Sequence, residues 1–171
     1  ALIGKIIAKF EDTGLKVAAI KIVKPNKDVV SRHYVEDKAW MEGVGNKTIK
    51  SQEAQGIKMN ETALEIGMRV RAALMDYLTG RPVVAMVIEG NEAVAMVAKI
   101  TGATSPVRAD PSTIRGTYAS DSYDLADSKK RAVKNILHAS DSKATAEREI
   151  GVWFADNEVI SYKRSDEDAM Y

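Results

Sequence analysis

The chain has 171 residues, of which 45% are hydrophobic and 29% are charged, a composition that suits one folded domain with a single apolar core. Its 25 basic and 24 acidic residues leave a formal charge of +1, which excludes the strongly basic field typical of nucleic-acid-binding proteins. The absence of cysteine excludes disulfides and thiolate chemistry, and no apolar run approaches the roughly 20 residues that span a bilayer, so we expect a cytoplasmic protein.

The first predicted helix begins at the first residue and stops before Gly14, with apolar residues at helical spacing at Ile3, Ile6, Ile7 and Phe10. No capping residue or strand precedes it, so we expect that the chain is cut at the entry to a βα unit. Residues 17–23 predict a strand that ends at Pro25, and a short helix should follow through Tyr34.

The middle of the chain combines an uncertain segment with a well-marked helix. Residues 42–60 are polar and punctuated by glycine, which indicates a loop or weakly helical surface. Thr62 and Glu65 then form a capping-box pattern, and the apolar stripe after it predicts a helix that ends at Gly80. Residues 83–88 predict a buried central strand. Asn91 can cap the next helix, which ends at Gly102.

The last third of the chain contains its longest irregular stretch, residues 104–129, and a loop of that length in a compact domain is usually functional. Residues 133–138 and 159–162 predict short strands, with a helix capped by Ser142 between them. The alternating elements predict an α+β sandwich with helices on one face of a small sheet. Their order fits a ferredoxin-like βαββαβ core whose first strand is missing from the sequence.

Two histidines narrow the search for reactive groups. His33 lies in a predicted helix among charged neighbours, which favours a structural or surface role. His138 ends a predicted strand in Asn-Ile-Leu-His-Ala-Ser-Asp, where small residues leave space around the ring. Arg115 lies in the long loop within Pro-Ser-Thr-Ile-Arg-Gly, where a forked guanidinium stands between hydroxyl residues and a glycine. Taken alone, neither His138 nor Arg115 is strong evidence for a catalytic or phosphate-binding site.

In combination, three motifs resemble the nucleoside diphosphate kinases: Thr-Ile-Arg-Gly at 113–116, Asn-Ile-Leu-His-Ala-Ser-Asp at 135–141, and Glu-Arg-Glu-Ile-Gly-Val-Trp-Phe at 147–154. The resemblance runs from the first residue to about Tyr162. It implies an enzyme that transfers the γ-phosphate of a nucleoside triphosphate to a nucleoside diphosphate. The mechanism implied is ping-pong through a phosphohistidine.

The resemblance also implies roles for individual residues. His138 would carry the phosphate, Glu149 would accept a hydrogen bond from the other ring nitrogen, and Ser140 would bond to that carboxylate or help to position the site. Nucleotide contacts would come from Thr104 and Arg115 at the phosphates, Asn135 at the sugar and phosphate end, Tyr34 near the phosphates, and Trp40 near the base. For Trp40, a place in the core or on the surface is an equal alternative.

Cofactor and partners follow from the same resemblance. Magnesium would be held mainly by the nucleotide phosphates rather than by the protein. The chain would form a homo-oligomer, commonly a hexamer or a tetramer. Nucleoside triphosphates and diphosphates would be its ligands, and neither a membrane nor a specific nucleic acid is expected as a partner.

The sequence departs from the family in three places. The family's first strand and its Lys-Pro-Asp-Gly turn are missing, and we expect residues before Ala1 or another chain to supply them. Ala98 stands where the family usually has an arginine. We expect one domain over residues 1–171, with an extended loop-helix insertion at about 42–81.

Two alternatives remain beside the enzyme. The first is a catalytically weak nucleotide-binding or scaffold protein of the same fold, motivated by the missing lysine and by Ala98. The second is an RNA-binding ferredoxin-like domain, which is disfavoured because the predicted strands lack exposed aromatic residues and the charge is balanced.

Overall fold

Within the described residues, runs of helices surround two strands that pair with each other, an arrangement of the α+β class. The computed structural model describes residues 2–54 and 56–170. Its elements, in chain order, are α1 (Ile3–Glu11), β1 (Lys16–Val23), α2 (Lys27–His33), α3 (Lys38–Glu53), α4 (Ala63–Leu78), β2 (Val83–Glu89), α5 (Ala93–Thr101), α6 (Ile114–Tyr118), α7 (Tyr123–Ser128), α8 (Lys143–Trp153) and α9 (Glu167–Met170). Short 3₁₀ turns lie at Pro106–Arg108 and Asp156–Glu158.

The chain divides into two compact units. The first comprises residues 1–23, 82–126 and 133–171, and the second comprises residues 24–81 and 127–132. Within the described residues, no helix is long and apolar enough to cross a membrane.

The first unit is built on an antiparallel pair of strands, in which β1 runs beside β2 with Ile20 opposite Met86. The register shifts between Val17 and Ala19, so Ala18 forms a bulge there. Residues directly opposite each other in an antiparallel pair point to the same face. The two faces of this pair therefore carry different apolar sets.

Each face is covered by its own apolar cluster. On one face, Ala19 and Val87 pack with Phe154, just after α8, together with Trp153. On the other face, Met86 and Ile88 join a cluster contributed by the helices α1, α5 and α6, whose buried members are Phe10, Leu15 and Ile114. Helices thus pack against both faces of the sheet rather than one face as predicted, while the α+β class itself agrees with the prediction.

The two short strands predicted at residues 133–138 and 159–162 are not formed within the described part of the chain. In the first segment, Ile136 has a φ of 75°, which breaks the extended conformation that a strand needs. In the second, the Ile160 N–H donates to the carbonyl of the bulged Ala18 at 2.9 Å. That predicted strand is an irregular segment tied to β1.

In the second unit, α3 occupies most of the segment predicted as a loop or weak helix. Asp37 begins α3 by accepting a hydrogen bond from the Trp40 N–H at 2.9 Å. The glycines that suggested a loop have a packing role. A Cβ on Gly45 would overlap the backbone of Ala63 in α4, and one on Gly67 would overlap the backbone of Met41 in α3. The two helices therefore approach at backbone distance.

The capping box predicted for α4 is confirmed. The Glu65 N–H donates to the Thr62 hydroxyl oxygen at 3.2 Å, and the Thr62 N–H donates to the Glu65 carboxylate at 2.7 Å. These bonds also hold the pKa of Glu65 below its ordinary value, through the backbone of Thr62 first and its hydroxyl second.

Candidate active site

His138 lies in the irregular segment between α7 and α8, and its side chain is 48% exposed. Ser142 begins α8 by accepting the Thr145 N–H at 3.1 Å. The cap lies four residues after His138, so α8 begins close to it in the sequence. Glu149 follows about two helical turns after the cap. Glu149 is buried, with a side chain 9% exposed.

The carboxylate of Glu149 binds both groups that the sequence placed beside it. Nε2 of His138 lies 3.1 Å from Oε2 and 3.3 Å from Oε1 of Glu149. The Ser140 hydroxyl donates to Oε2 at 2.5 Å. The guanidinium of Arg148 contacts Oε1 at 3.3 Å. The buried carboxylate is thus surrounded by an imidazole, a hydroxyl and a cation.

This geometry decides which ring nitrogen can act as a nucleophile. An ionised carboxylate can only accept hydrogen bonds, so the Glu149 contact selects the tautomer of His138 with its proton on Nε2. The lone pair then resides on Nδ1. A carboxylate in this position also stabilises the positive charge that the ring gains when Nδ1 forms a bond.

Arg115 lies in α6 and is 6% exposed, so it is buried rather than displayed on the loop surface. Its Nη1 donates to the Gly102 carbonyl at 2.6 Å, and its Nη2 donates to the Leu137 carbonyl at 3.0 Å. Its Nε is buried and has no hydrogen-bond partner among the residues that the structure describes. Burial lowers the pKa of the Arg115 guanidinium, while the nearby Tyr123 acts in the opposite direction. The side chain therefore links the segment before His138 to the end of α5.

Asn135 and Thr104 form a second link between the same two segments. The Asn135 side-chain amide donates to the Thr104 carbonyl at 3.1 Å. Thr104 itself is exposed, at the start of the long loop. Two predicted nucleotide-binding side chains, Arg115 and Asn135, thus join the end of α5 to the segment that carries His138.

Tyr34 and Trp40 belong to the second unit. Tyr34 ends α2, its ring packs edge-on against His33 at 4.6 Å between centroids, and its carbonyl accepts a hydrogen bond from Arg71 at 2.8 Å. His33 is buried, so of the structural and surface positions that the sequence favoured, it does not occupy a surface one. Trp40 lies in the first turn of α3 and is 40% exposed.

Three residues near His138 were missed by sequence reasoning. Arg148 is adjacent to Glu149 in a helix, and helix neighbours in sequence usually point in different directions, so no spacing rule indicated their contact. Ile136 adopts a positive φ that isoleucine rarely shows. Asp121 is buried and accepts the Lys134 N–H at 2.6 Å, bracing the start of the His138 segment. Of these three residues, only Asp121 could have been suspected from the sequence, because it lies in the long polar loop that was expected to be functional.

Comparison with known sequences gives a consistent result. The family described as "Nucleoside diphosphate kinase" matches residues 65–159. A nucleoside diphosphate kinase from Pyrobaculum aerophilum is 42% identical over 164 residues, which cover 93% of this chain and 90% of that protein. One from Pyrococcus abyssi is 36% identical, covering 97% of this chain and 82% of that protein.

Solved structures agree with the sequence matches. The crystal structure of an NDP kinase from Pyrobaculum aerophilum superposes with a TM-score of 0.89 at 41% identity, covering 94% of this chain and 91% of that one. A nucleoside diphosphate kinase from Borrelia burgdorferi, described as a transition-state mimic with bound vanadate and ADP, superposes with a TM-score of 0.79 at 32% identity, covering 98% and 86%. The chain belongs to the nucleoside diphosphate kinase family.

Proposed function

We propose that this chain transfers the γ-phosphate of a nucleoside triphosphate to a nucleoside diphosphate through a phosphohistidine at His138. The observation that carries the proposal is the contact of Nε2 with the buried carboxylate of Glu149 at 3.1 Å. A histidine held only for packing has no need of a carboxylate that fixes its tautomer. Its half-exposed ring also gives a phosphate access to the other nitrogen.

In the first half-reaction, the Nδ1 lone pair attacks the γ-phosphorus. The bond between that phosphorus and the oxygen bridging to the β-phosphate breaks, and the diphosphate leaves with the electron pair. The Nε2 proton stays on the ring, where Glu149 stabilises the positive charge. In the second half-reaction, a terminal oxygen of another diphosphate attacks the phosphorus, and the electrons of the P–N bond return to Nδ1. This order of events is ping-pong.

Binding of the nucleotide belongs to the same proposal. Thr104 and Arg115 would contact its phosphates, Asn135 its sugar and phosphate end, Tyr34 its phosphates and Trp40 its base. Support for Arg115 comes from its buried, unpartnered Nε, because a buried cation is stabilised by an approaching anion. Support for Trp40 comes from its exposure of 40%, because an accessible aromatic ring can stack on any base.

Magnesium enters as part of the substrate, bound chiefly by the nucleotide phosphates. Magnesium prefers oxygen ligands and usually keeps several waters. The Glu149 carboxylate is already engaged by Ser140, Arg148 and His138, so it fits an orienting role better than that of a metal ligand. When bound, the ion would neutralise part of the negative charge of the phosphates.

We also propose that the protein is a cytoplasmic homo-oligomer, either a tetramer or a hexamer. Support comes from exposed apolar side chains on β1, where Ile20 is 49% and Ile22 is 73% exposed. Clustered exposed apolar residues are typical of association surfaces. Multi-angle light scattering on the purified protein would give the number of subunits.

The labelling experiment that tests the function uses γ-labelled ATP with magnesium. The parent protein should acquire acid-labile, base-stable label and pass it to added GDP. His138→Asn should acquire none, while Glu147→Gln, a change at an exposed carboxylate of α8, should retain label once its folding is confirmed by circular dichroism. Normal labelling of His138→Asn would contradict the proposal.

The scaffold alternative has a distinct signature in the same experiment. It is favoured by Ala98, which stands where the family usually has an arginine. If the parent protein binds ADP in calorimetry but takes no label from ATP, the nucleotide-binding scaffold is the better description.

A further inference from the structure

The backbone immediately before His138 is strained. Ile136 has a φ of 75°, and the Leu137 N–H donates to the Asn135 carbonyl at 2.9 Å, which closes a three-residue turn around Ile136. Turns of this type are rare, and a β-branched residue at positive φ is an outlier. Such conformations are unfavourable and persist only where surrounding contacts enforce them.

Arg115 makes the contact that enforces this turn. Its Nη2 donates at 3.0 Å to the carbonyl of Leu137, which is the last residue of the turn and directly precedes His138. The other arm of the same fork donates to the Gly102 carbonyl at 2.6 Å. A planar guanidinium can hold two acceptors in fixed directions at once, whereas an ammonium group is a single point on a flexible stem. The bond to Leu137 is therefore made from a side chain that cannot easily turn.

We call the bonds from Arg115 to the Leu137 and Gly102 carbonyls the Arg115 clamp. Both the helix turn that carries Arg115 and the Gly102 carbonyl are held by further contacts. Thr113 caps α6 by accepting the Gly116 N–H at 3.2 Å, which sets the first turn of the helix that carries Arg115. Thr113 also packs directly against Gly102, where a Cβ would lie 2.7 Å from the Thr113 Cβ. Gly102 has a φ of 81°, so both its conformation and its surroundings require glycine. The carbonyl of Gly102 is thereby held in place for Arg115.

The charge of Arg115 distinguishes this clamp from ordinary packing. Among the described residues, no carboxylate pairs with the guanidinium, whose recorded bonds go to two carbonyls. Burying a cation without an anion is unfavourable, and the lowered pKa of Arg115 reflects that burial. A neutral amide could bond to a carbonyl with less desolvation. The two carbonyl bonds of Arg115 are thus made at a desolvation cost that a neutral side chain would not carry.

We propose that Arg115 is a positioning residue for His138. By holding the Leu137 carbonyl, it maintains the strained turn at Ile136 and directs the imidazole toward Glu149, a role separate from any contact with nucleotide phosphates. The proposal rests on the phosphohistidine function inferred above. It predicts that His138 is misplaced when Arg115 is changed, even in the absence of a nucleotide.

The test separates positioning from nucleotide binding by using a phosphoryl donor that has no nucleoside. Phosphoramidate is supplied to the parent protein and to Arg115→Lys, which keeps the charge but not the fork, and phosphohistidine formation is followed. Arg108→Lys is the matched control, since Arg108 is an exposed arginine in the same loop. Calorimetry with ADP and magnesium measures nucleotide binding by each variant.

We expect Arg115→Lys to form phosphohistidine from phosphoramidate about 10- to 100-fold more slowly than the parent, a range typical of ångström-scale misplacement. Its affinity for ADP should change by less than this factor, and Arg108→Lys should match the parent in both assays. Equal labelling rates combined with a large loss of ADP affinity would show that Arg115 is only a phosphate ligand.

Nitrogen NMR of the His138 ring in nucleotide-free protein gives a readout independent of activity. The parent should show one tautomer, protonated on Nε2, while Arg115→Lys and Arg115→Gln should show a mixture of tautomers. If Arg115→Lys does not fold, Arg115→Gln takes its place. An unchanged tautomer in a folded variant overturns the positioning role. Failure of the parent itself to take label from either donor would instead count against the proposed phosphotransfer.

Discussion

Nε2 of His138 lies 3.1 Å from Oε2 of Glu149, and that carboxylate is buried while the imidazole is half exposed. In the proposed phosphotransfer, the exposed imidazole would meet the substrate and the buried carboxylate would hold it in place. Glu149 is fixed by its position in α8 and by the Ser140 hydroxyl at 2.5 Å. The pair therefore joins a buried, hydrogen-bonded carboxylate to an accessible imidazole.

Replacing Glu149 with glutamine should slow phosphohistidine formation by about a hundredfold or more, the range typical of lost acid–base support. The amide can donate as well as accept, so it no longer selects the Nε2 tautomer, and it cannot balance the charge on the ring. Rapid-quench measurement with labelled ATP gives the rate. Glu147→Gln is the control because Glu147 is exposed on the same helix, beside Lys143. Equal rates for Glu149→Gln and Glu147→Gln would contradict the role assigned to Glu149.

Replacing Ser140 with alanine should lower the rate of labelling less than Glu149→Gln does. The variant removes one hydrogen bond to a buried carboxylate, a contact worth about 1.5–3 kcal/mol when one partner is charged. Part of this loss should appear as a lower melting temperature and part as slower transfer. Ser161→Ala, at an exposed serine, serves as the control. A variant that melts and reacts like the parent would show that the Ser140 contact has no role.

The close approach of α3 and α4 predicts opposite effects for two glycines in the same helix. Gly45→Ala should destabilise the protein by about 1–3 kcal/mol, because the new methyl group meets the Ala63 backbone. Gly43→Ala meets nothing within 4 Å and should stabilise by about 0.5–1 kcal/mol through helix propensity. Thermal unfolding followed by circular dichroism at 222 nm, roughly the helix minimum, measures both. The same sign for both variants would argue against this helix contact.

The ion pair of Lys21 and Glu158 predicts a pH dependence of stability. The hydrogen bond from Lys21, at 2.7 Å, and then the Ala155 N–H lower the pKa of Glu158. A carboxyl whose pKa is lowered on folding stabilises the fold above its unfolded pKa of about 4.3, and this contribution disappears as the pH falls through the folded value. The melting temperature of Glu158→Gln should therefore lie below that of the parent at neutral pH and converge with it in acid.

Salt provides the control for this prediction. Because the pair is solvent-exposed, the gap in melting temperature at neutral pH should be small and should shrink further in 1 M salt, where the screening length is roughly 3 Å. A gap that widens as the pH falls would have the wrong sign.

The features that could be predicted from the sequence are those specified by particular side chains at a fixed spacing. The capping box at Thr62 and Glu65 specifies the start of α4, and the histidine motif indicated that Glu149 and Ser140 would meet. The turn at Ile136 was not predictable, because isoleucine ordinarily favours a strand and no local residue signals a positive φ. The bonds from Arg115 were hidden for a related reason: their acceptors are backbone carbonyls, which every residue possesses. Gly43 and Gly45 suggested a loop, although the second permits a helix contact.

The most direct measurement of the central claim is transfer from an isolated phosphoenzyme. The protein is incubated with ATP and magnesium, freed of all nucleotide, and mapped by mass spectrometry before GDP is added. The account predicts one phosphoryl group per active chain, located on His138, and its stoichiometric appearance as GTP with no ATP present. A phosphate found on another residue, or transfer that requires both nucleotides to be bound together, would contradict it.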